Sequence, residues 1–333
     1  MTRSIGFAVI GILAVWLTCQ QMRHTQMLVE RRVSLDRYLE GTSHRPFCHR
    51  VLVPVLLRVI TPVLPTSACA AWGRELSPAD VPTDVAADDP RVYVALFLVL
   101  LTPLLVYAGV SGAMYQRFFS HSVYAFPIGA IGVLLFLAPM VLQGIGHVYD
   151  FSVLAFHAGM LLCLVEKRLG WYLALFVVSC FNKETTVLMT VAYCACLFDR
   201  VPRRQFLLYL LLQVVAFVAV YGIVTWHFRG NPGAGMEVHL SRLIPIYSQR
   251  WKTLVYICAI VVLVAYRWSE KPQFFRRAMF MLVPHVALCL YGAYPGELRN
   301  FYESVPLLAL FSVRSVELAA SRFGAWTMRP RLK

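Results

Sequence analysis

The stretch Asn182-Lys183-Glu184-Thr185 interrupts an otherwise apolar segment that runs from Leu169 to Phe198. A cation and an anion are costly in the hydrocarbon of a membrane, so ionisable residues inside such a segment indicate a functional site. The same four residues decide how the chain folds. Either 169–198 is one kinked helix, or it is two short helices that turn back at 182–185.

The composition is typical of an α-helical membrane protein. Of the 333 residues, 59% are hydrophobic and only 14% are charged, and the mean hydropathy is +0.64. Apolar runs near the roughly 20 residues of a spanning helix recur along the chain, without the alternation that barrel strands show. The predicted fold class is therefore all-α, a polytopic integral membrane protein with a single domain over 1–333.

The positions of Lys and Arg favour the two-helix alternative. A single helix would place the basic residues around Lys167 and those around Arg203 on opposite sides of the membrane. Two short helices place both clusters on one side, and cytoplasmic loops are then the basic ones throughout. We therefore predict about ten membrane segments, a re-entrant-like hairpin at 169–198, and both termini in the cytoplasm. Arginine greatly outnumbers lysine, which fits a GC-rich bacterial genome, so the membrane is expected to be a bacterial inner membrane. The net charge of +14 follows from this bias and does not indicate nucleic-acid binding.

This threading makes 21–91 a long extracytoplasmic loop and 320–333 a basic cytoplasmic tail. The loop contains an amphipathic stretch from Met27 to Leu39. It also contains an apolar piece at 51–58 that is too short and too charged to span, and we predict that this piece lies along the bilayer surface. Cys48 and Cys69 share the loop and are either free or joined by a disulfide.

Most of the unusual polar residues fall on the extracytoplasmic side. Arginine suits a phosphate ligand because its planar group donates two parallel hydrogen bonds, and a carboxylate suits proton transfer. The candidate binding residues are Arg45, His49, Arg50, His147, Asn182, Lys183, Arg299 and Glu303, and the candidate catalytic acids are Glu184, Asp36 and Asp150.

Each candidate also has a structural alternative. The arginines can extend to lipid headgroups, and Asp150 can cap a helix. Arg299 and Glu303 stand at i and i+4, so they can form a local pair on one helix face. Lys183 is expected to keep Glu184 ionised or to contact the phosphate itself.

The sequence lacks the common metal and nucleotide motifs, namely His-Glu-x-x-His and a phosphate-binding loop. We predict no cofactor, no metal ligand and no ATP hydrolysis, and we leave a requirement for a divalent metal open. His157 and His285 lie inside apolar segments and are interpreted as hydrogen-bonded core histidines.

Four short motifs together resemble a known group of proteins. They are Arg45-Pro46-Phe47 with Arg50, Tyr149-Asp150-Phe151, Asn182–Thr185, and Gly296-Glu297-Leu298-Arg299 with Glu303. In this order they resemble a broad group of bacterial polytopic membrane proteins that is grouped loosely with GT-C-type glycosyltransferases. The resemblance implies an enzyme that uses polyprenyl-phosphate sugars on the outer face, with an acid in the first outer loop. Asp36 and Glu40 are the residues available there, and neither stands in an acidic pair.

Three functions remain open. The first is a membrane glycosyltransferase that takes a sugar from a polyprenyl-phosphate donor in cell-envelope polysaccharide or glycolipid synthesis. In it, Arg45, Arg50 and Arg299 hold the phosphate, and Glu184 or Asp36 accepts the proton. The second is a transporter or scramblase for polyprenyl phosphates or glycolipids. The third is a non-catalytic subunit of an envelope assembly. The expected partners are the lipid-linked sugar or polyprenyl phosphate, membrane lipids and other envelope-biosynthesis membrane proteins.

Overall fold

The computed structural model describes residues 2–24, 33–76, 89–143, 146–234, 251–292 and 297–327. Within these ranges every regular element is helical, in agreement with the all-α prediction. The helices are α1 (Thr2–His24), α2 (Leu35–Glu40), α3 (Leu52–Ile60), α4 (Thr66–Leu76), α5 (Pro90–Met114), α6 (Ala125–Leu142), α7 (Asp150–Val165), α8 (Leu169–Cys180), α9 (Leu188–Leu197), α10 (Arg203–His227), α11 (Trp251–Ala265), α12 (Gln273–Ala278), α13 (Leu282–Gly292) and α14 (Val305–Thr327). Part of the predicted amphipathic stretch, 27–32, and the end of the tail, 328–333, lie outside the described residues.

Among the described residues, five helical segments are long and apolar enough to cross a membrane by length and composition. They are Ser4–Arg23, Pro90–Phe119, Ala125–Leu142, Arg203–His227 and Gln273–Gly292. Five further apolar helices, of 10–17 residues, are Leu52–Val63, Asp150–Val165, Leu169–Cys180, Glu184–Leu197 and Trp251–Ala265. The chain therefore has the helices of a membrane protein, but ten full spans are not established, because these shorter helices fall below the length that a bilayer requires.

The long helix α5 lies at the centre and packs on α1, α4, α6 and α7. Its contact with α6 is close because two glycines face the partner helix. A Cβ added at Gly129 would lie 2.4 Å from the Cβ of Tyr115, and one added at Gly112 would lie 2.9 Å from the carbonyl oxygen of Phe126. Small residues of this kind let membrane helices approach each other closely.

Helix α10, by contrast, exposes most of its surface. Only Phe206, Gln213, Val220 and Val224 are buried among its 25 residues. The exposed remainder is strongly apolar along one continuous face. A helix that exposes so much apolar surface requires an apolar environment, as lipid provides.

The segment 169–198 is a hairpin. Helix α8 ends at Cys180, a short 3-10 turn covers Glu184–Val187, and α9 begins at Leu188. The ring of Tyr172 stacks on that of Tyr193 with centroids 5.8 Å apart. A continuous helix would hold these two residues about 30 Å apart, so the single-helix alternative is wrong.

Closing the hairpin brings the two basic clusters together. The ammonium group of Lys167 donates to the carbonyl oxygen of Arg200 at 3.2 Å. The residues next to these two also form ion pairs. Asp199 pairs with Arg277 at 2.5 Å, and Glu166 pairs with Arg117. The basic loops between the helices therefore gather at one end of the molecule, while the hairpin turn lies at the other.

The long first loop folds back on the helices. Helix α3 buries Val53 and Leu57 and exposes Val59, as expected for a short apolar helix with a lipid-facing side. Cys48 and Cys69 are both free thiols, so the disulfide alternative is not adopted.

Candidate functional site

The centre of the candidate site is an ion pair between the first loop and the hairpin turn. The guanidinium Nη2 of Arg50 lies 3.0 Å from Oε1 of Glu184, and its Nε lies 3.5 Å from Oε2. The Arg50 side chain is 9% exposed, whereas that of Glu184 is 33% exposed. Glu184 is thus a carboxylate that a buried cation holds in place while part of it remains accessible.

Aromatic rings fix the orientation of Arg50. Its guanidinium lies 4.3 Å from the ring centroid of Tyr149 and 5.4 Å from that of Phe47, which are favourable cation–π distances. The hydroxyl of Tyr38, on α2, donates to the carbonyl oxygen of Arg50. Both ends of the arginine are therefore held before any ligand arrives.

Lys183 turns away from Glu184 and binds a different segment. Its Nζ lies 2.6 Å from Oε1 of Glu303, and the hydroxyl of Thr185 donates to the same carboxylate oxygen. Lys183 therefore pairs directly with Glu303, while its charge still favours the ionised form of Glu184. The reason is local: Lys183 has an extended backbone (φ −161°, ψ 139°), and successive side chains of an extended chain point to opposite sides.

His285 completes the surroundings of Glu303. Its Nε2 lies 3.3 Å from Oε2 of Glu303, but its closer contact is with the carbonyl oxygen of Asn300, at 2.8 Å. Its Nδ1 lies 2.6 Å from the hydroxyl of Ser304. His285 is hydrogen-bonded in the core, as predicted, yet sequence reasoning missed its contact with Glu303. The two residues lie on different segments, so no spacing in the sequence indicates it.

The local pair between Arg299 and Glu303, one of the structural alternatives, does not form. Arg299 pairs instead with Glu297, at 2.8 Å. The segment Leu298–Phe301 is a 3-10 turn, and α14 begins only at Val305. The two residues do not pair because i and i+4 share a face only in an α-helix.

Asn182 and Asp150 connect the hairpin to the start of α7. The side-chain oxygen of Asn182 accepts a hydrogen bond of 2.8 Å from Ser152, and its nitrogen lies 3.4 Å from the carbonyl oxygen of Tyr149. The Oδ2 atom of Asp150 accepts from the backbone N–H of His147 at 2.7 Å. Asp150 does not cap α7, because the N-cap position is held by Tyr149; its carboxylate instead holds the turn 147–150 before the helix.

The imidazole of His147 lies fully buried beside three basic residues. Burial lowers the pKa of His147 well below its ordinary value, and Arg299, Arg50 and Lys183 add to this effect, so the ring is neutral at pH 7. Within the part of the chain that the structure describes, neither ring nitrogen has a hydrogen-bond partner. The four segments that sequence reasoning singled out thus meet at one end of the molecule.

The loop 41–50 carries a second group of donors. Arg45 is half-buried, and its backbone N–H donates to the carbonyl oxygen of Pro232 at 2.9 Å. Gly233 allows this approach: its φ is +94°, and an added Cβ would lie 2.9 Å from the carbonyl oxygen of Arg45. Burial lowers the pKa of His49, although nearby Glu184 opposes the shift.

Asp36 lies on a different element from the other two candidate acids. It lies on α2 and is half-buried. On the same helix, the hydroxyl of Tyr38 donates to the carbonyl oxygen of Arg50 in the loop 41–50.

Neither a metal-binding group in the described residues nor a comparison with other proteins identifies the function of this site. Among the described residues, no group of three or more His, Cys, Asp or Glu side chains is placed to hold a metal ion. Comparison of the chain with protein-family models, with curated proteins and with solved structures gave no match.

Proposed function

We propose that the protein transfers a sugar from a polyprenyl-phosphate donor, with Glu184 accepting the proton of the acceptor hydroxyl. The observation that carries the proposal is the pair of Glu184 with Arg50, in which the carboxylate is held and remains 33% exposed. A general base must be ionised and within reach of the hydroxyl. Asp150 and Glu303, each only 1% exposed, do not meet the second requirement.

The role of Arg50 in this proposal is to position Glu184. A guanidinium that already binds a carboxylate and lies against two rings has little capacity left for a phosphate. The donor's phosphate linkage supplies the driving energy, so the reaction needs no ATP. The negative charge that develops on the leaving phosphate requires separate donors.

The proposed location is the extracytoplasmic face of a bacterial inner membrane. The basic loops collect at the end opposite to the site, and such loops are cytoplasmic in most membrane proteins. This orientation places both termini in the cytoplasm and agrees with the GT-C-like resemblance of the sequence motifs. The product would enter an envelope polysaccharide or glycolipid.

The test is the variant Glu184→Gln in proteoliposomes supplied with polyprenyl-phosphate sugars and a membrane extract as acceptor. The release of polyprenyl phosphate is measured by mass spectrometry. Loss of a general base lowers such rates by about 10²–10⁴-fold, and donor binding should remain. Glu75→Gln, at an exposed carboxylate on α4, is the matched control and should behave as the wild type.

The same variant separates the alternatives. A lipid carrier would move labelled lipid between leaflets without releasing sugar, and Glu184→Gln would reduce that movement only in part. A non-catalytic subunit would be indifferent to the substitution. Wild-type transfer by Glu184→Gln would overturn the proposal.

A further inference from the structure

Three of the basic residues at the site are already paired with acids. Arg50 binds Glu184, Lys183 binds Glu303, and Arg299 binds Glu297. A phosphate could engage any of them only by competing with the bound carboxylate. Arg45 differs, because no acidic partner for it is found in the described residues.

Among the residues that the structure describes, Arg45 belongs to a cluster of side chains with nitrogen atoms that lack a hydrogen-bond partner. Among the described residues, Nδ1 of His44, Nε of Arg45 and Nε2 of His49 are buried atoms without a hydrogen-bond partner. His49 is only 8% exposed. Leaving buried polar atoms unpaired is unfavourable, so the cluster indicates a ligand rich in acceptors. Phosphate oxygens accept several hydrogen bonds at once.

The backbone of this loop is held in place by the turn after α10. The side-chain nitrogen of Asn231 donates to the carbonyl oxygens of Gly41 and Ser43, at 2.8 and 2.9 Å. The carbonyl oxygen of Pro232 accepts from the N–H of Arg45 at 2.9 Å. A loop that is ordered before binding loses less entropy when the ligand arrives.

An exposed apolar stripe leads away from the cluster along α10. The ring of His49 meets that of Tyr221 edge-on, with centroids 6.4 Å apart. From Tyr221 the stripe continues at helical spacing, and each member is 43–63% exposed. Its members are Leu207, Leu211, Val214, Val218 and Tyr221. At 1.5 Å per residue the stripe is about 21 Å long, which suits an extended lipid chain.

We infer that His44, Arg45 and His49 bind the phosphate of a polyprenyl phosphate whose chain lies along this stripe of α10. The donors at one end and the apolar surface that begins beside His49 match the two parts of such a molecule. The inference rests on the proposed function, since it places the donor's phosphate near Glu184. It names the anchor as Arg45 with two histidines, in place of Arg50 and Arg299.

The experiment measures binding in the absence of any acceptor. The full-length protein is placed in nanodiscs of phosphatidylcholine, and native mass spectrometry quantifies bound long-chain polyprenyl monophosphate. Arg45→Gln should weaken binding about tenfold or more, because it removes a charge-assisted contact. Arg37→Gln removes an equal charge from an exposed position on α2 and should bind as the wild type does. A diazirine on the lipid chain should crosslink to peptides from 203–227.

Competition and a conservative variant complete the design. Inorganic phosphate and phosphatidylglycerol should compete poorly, since one lacks the chain and the other lacks a terminal phosphate monoester. Arg45→Lys should bind between the wild type and Arg45→Gln, which a folding defect would not produce.

The inference is overturned if Arg45→Gln binds like Arg37→Gln, if phosphatidylglycerol competes equally, or if crosslinks avoid α10. Binding that depends on Arg45 in a protein without transferase activity would instead reject the proposed function alone. Transfer that depends on Glu184 but not on Arg45 would reject this inference alone.

Discussion

Neighbouring residues of the hairpin turn bind different parts of the molecule. Glu184 pairs with Arg50 in the first loop, and Lys183 pairs with Glu303 before α14. One turn therefore joins the beginning and the end of the chain. It also separates a reachable carboxylate from a largely buried ion pair, in which the side chain of Lys183 is 11% exposed and that of Glu303 is 0% exposed, and the two pairs should respond differently to substitution.

Arg50→Lys tests the pair that positions the base. Lysine keeps the charge but loses the planar fork and much of the stacking on Tyr149. We expect transfer to fall about 10- to 100-fold and stability to fall by about 1–2 kcal/mol. Arg37→Lys, at an exposed position on α2, is the control. Full activity in Arg50→Lys, measured as polyprenyl phosphate released in proteoliposomes, would show that fork geometry is not needed.

Lys183→Met tests the buried pair. Removal of the lysine leaves the carboxylate of Glu303 without its cation, which costs about 3–5 kcal/mol in buried surroundings. The double variant Lys183→Met/Glu303→Gln should recover part of this loss, because residues in contact are energetically coupled. The stability of the single variant and of the double variant is measured by thermal unfolding in detergent.

The exposed pair Asp199–Arg277 provides the control for these substitutions in the buried pair. Surface pairs contribute little to stability, so Arg277→Gln should leave the unfolding temperature nearly unchanged. Additive effects of the two buried substitutions would contradict the close contact between Lys183 and Glu303.

Sequence reasoning could select residues here more readily than it could pair them. Charged residues in apolar segments are rare enough to be noticed singly, and Arg50, Lys183, Glu184 and Arg299 do meet at one end. Their partners depend on backbone shape across separate segments. The extended residue Lys183 and the 3-10 turn at Leu298–Phe301 both changed the expected pairs.

At the scale of elements, the hairpin could be predicted because charge at its two ends limits the alternatives. Lys167 and Arg200 must lie on one side if basic loops are cytoplasmic, and the structure brings them within 3.2 Å. The contacts between helices, in contrast, could not be predicted from the positions of charged residues in the sequence. Whether a glycine faces a neighbouring helix or lipid depends on the partner's position, which the sequence does not contain.

Gly129→Ala tests the contact between α5 and α6. An added methyl group would lie 2.4 Å from the Cβ of Tyr115, so the helices must separate. We expect a loss of about 1–3 kcal/mol in stability, as in other overpacked sites. Gly109→Ala, on α5, meets no atom within 4 Å and should be neutral or slightly stabilising. Equal unfolding temperatures for the two variants would show that α5 and α6 are not in close contact at Gly129.

At the scale of the whole molecule, the two ends differ in chemistry. One end collects the loops that carry Lys167, Arg200 and Arg277, and the other holds the buried ion pairs with Arg50 and Lys183. The sequence predicts this division from loop charge. Ten full spans are not established in the described part of the chain, because helices packed inside a protein can end on polar neighbours before they reach the bilayer surface. Helices α7, α8 and α9, which surround the site, are all of this short kind.

Helix α10 offers a direct test of the orientation, because it is long enough to span and carries exposed residues at both ends. Gln205→Cys lies at the basic end, and Gly230→Cys lies beside the site, where an added side chain meets no atom within 4 Å. A membrane-impermeant maleimide should label position 230 in intact spheroplasts and position 205 only after permeabilisation. Wild-type protein gives the background from the native cysteines, of which Cys258 is exposed. The reverse pattern would put Glu184 in the cytoplasm, where an extracytoplasmic transfer reaction cannot take place, and labelling of both positions from one side would mean that α10 does not cross.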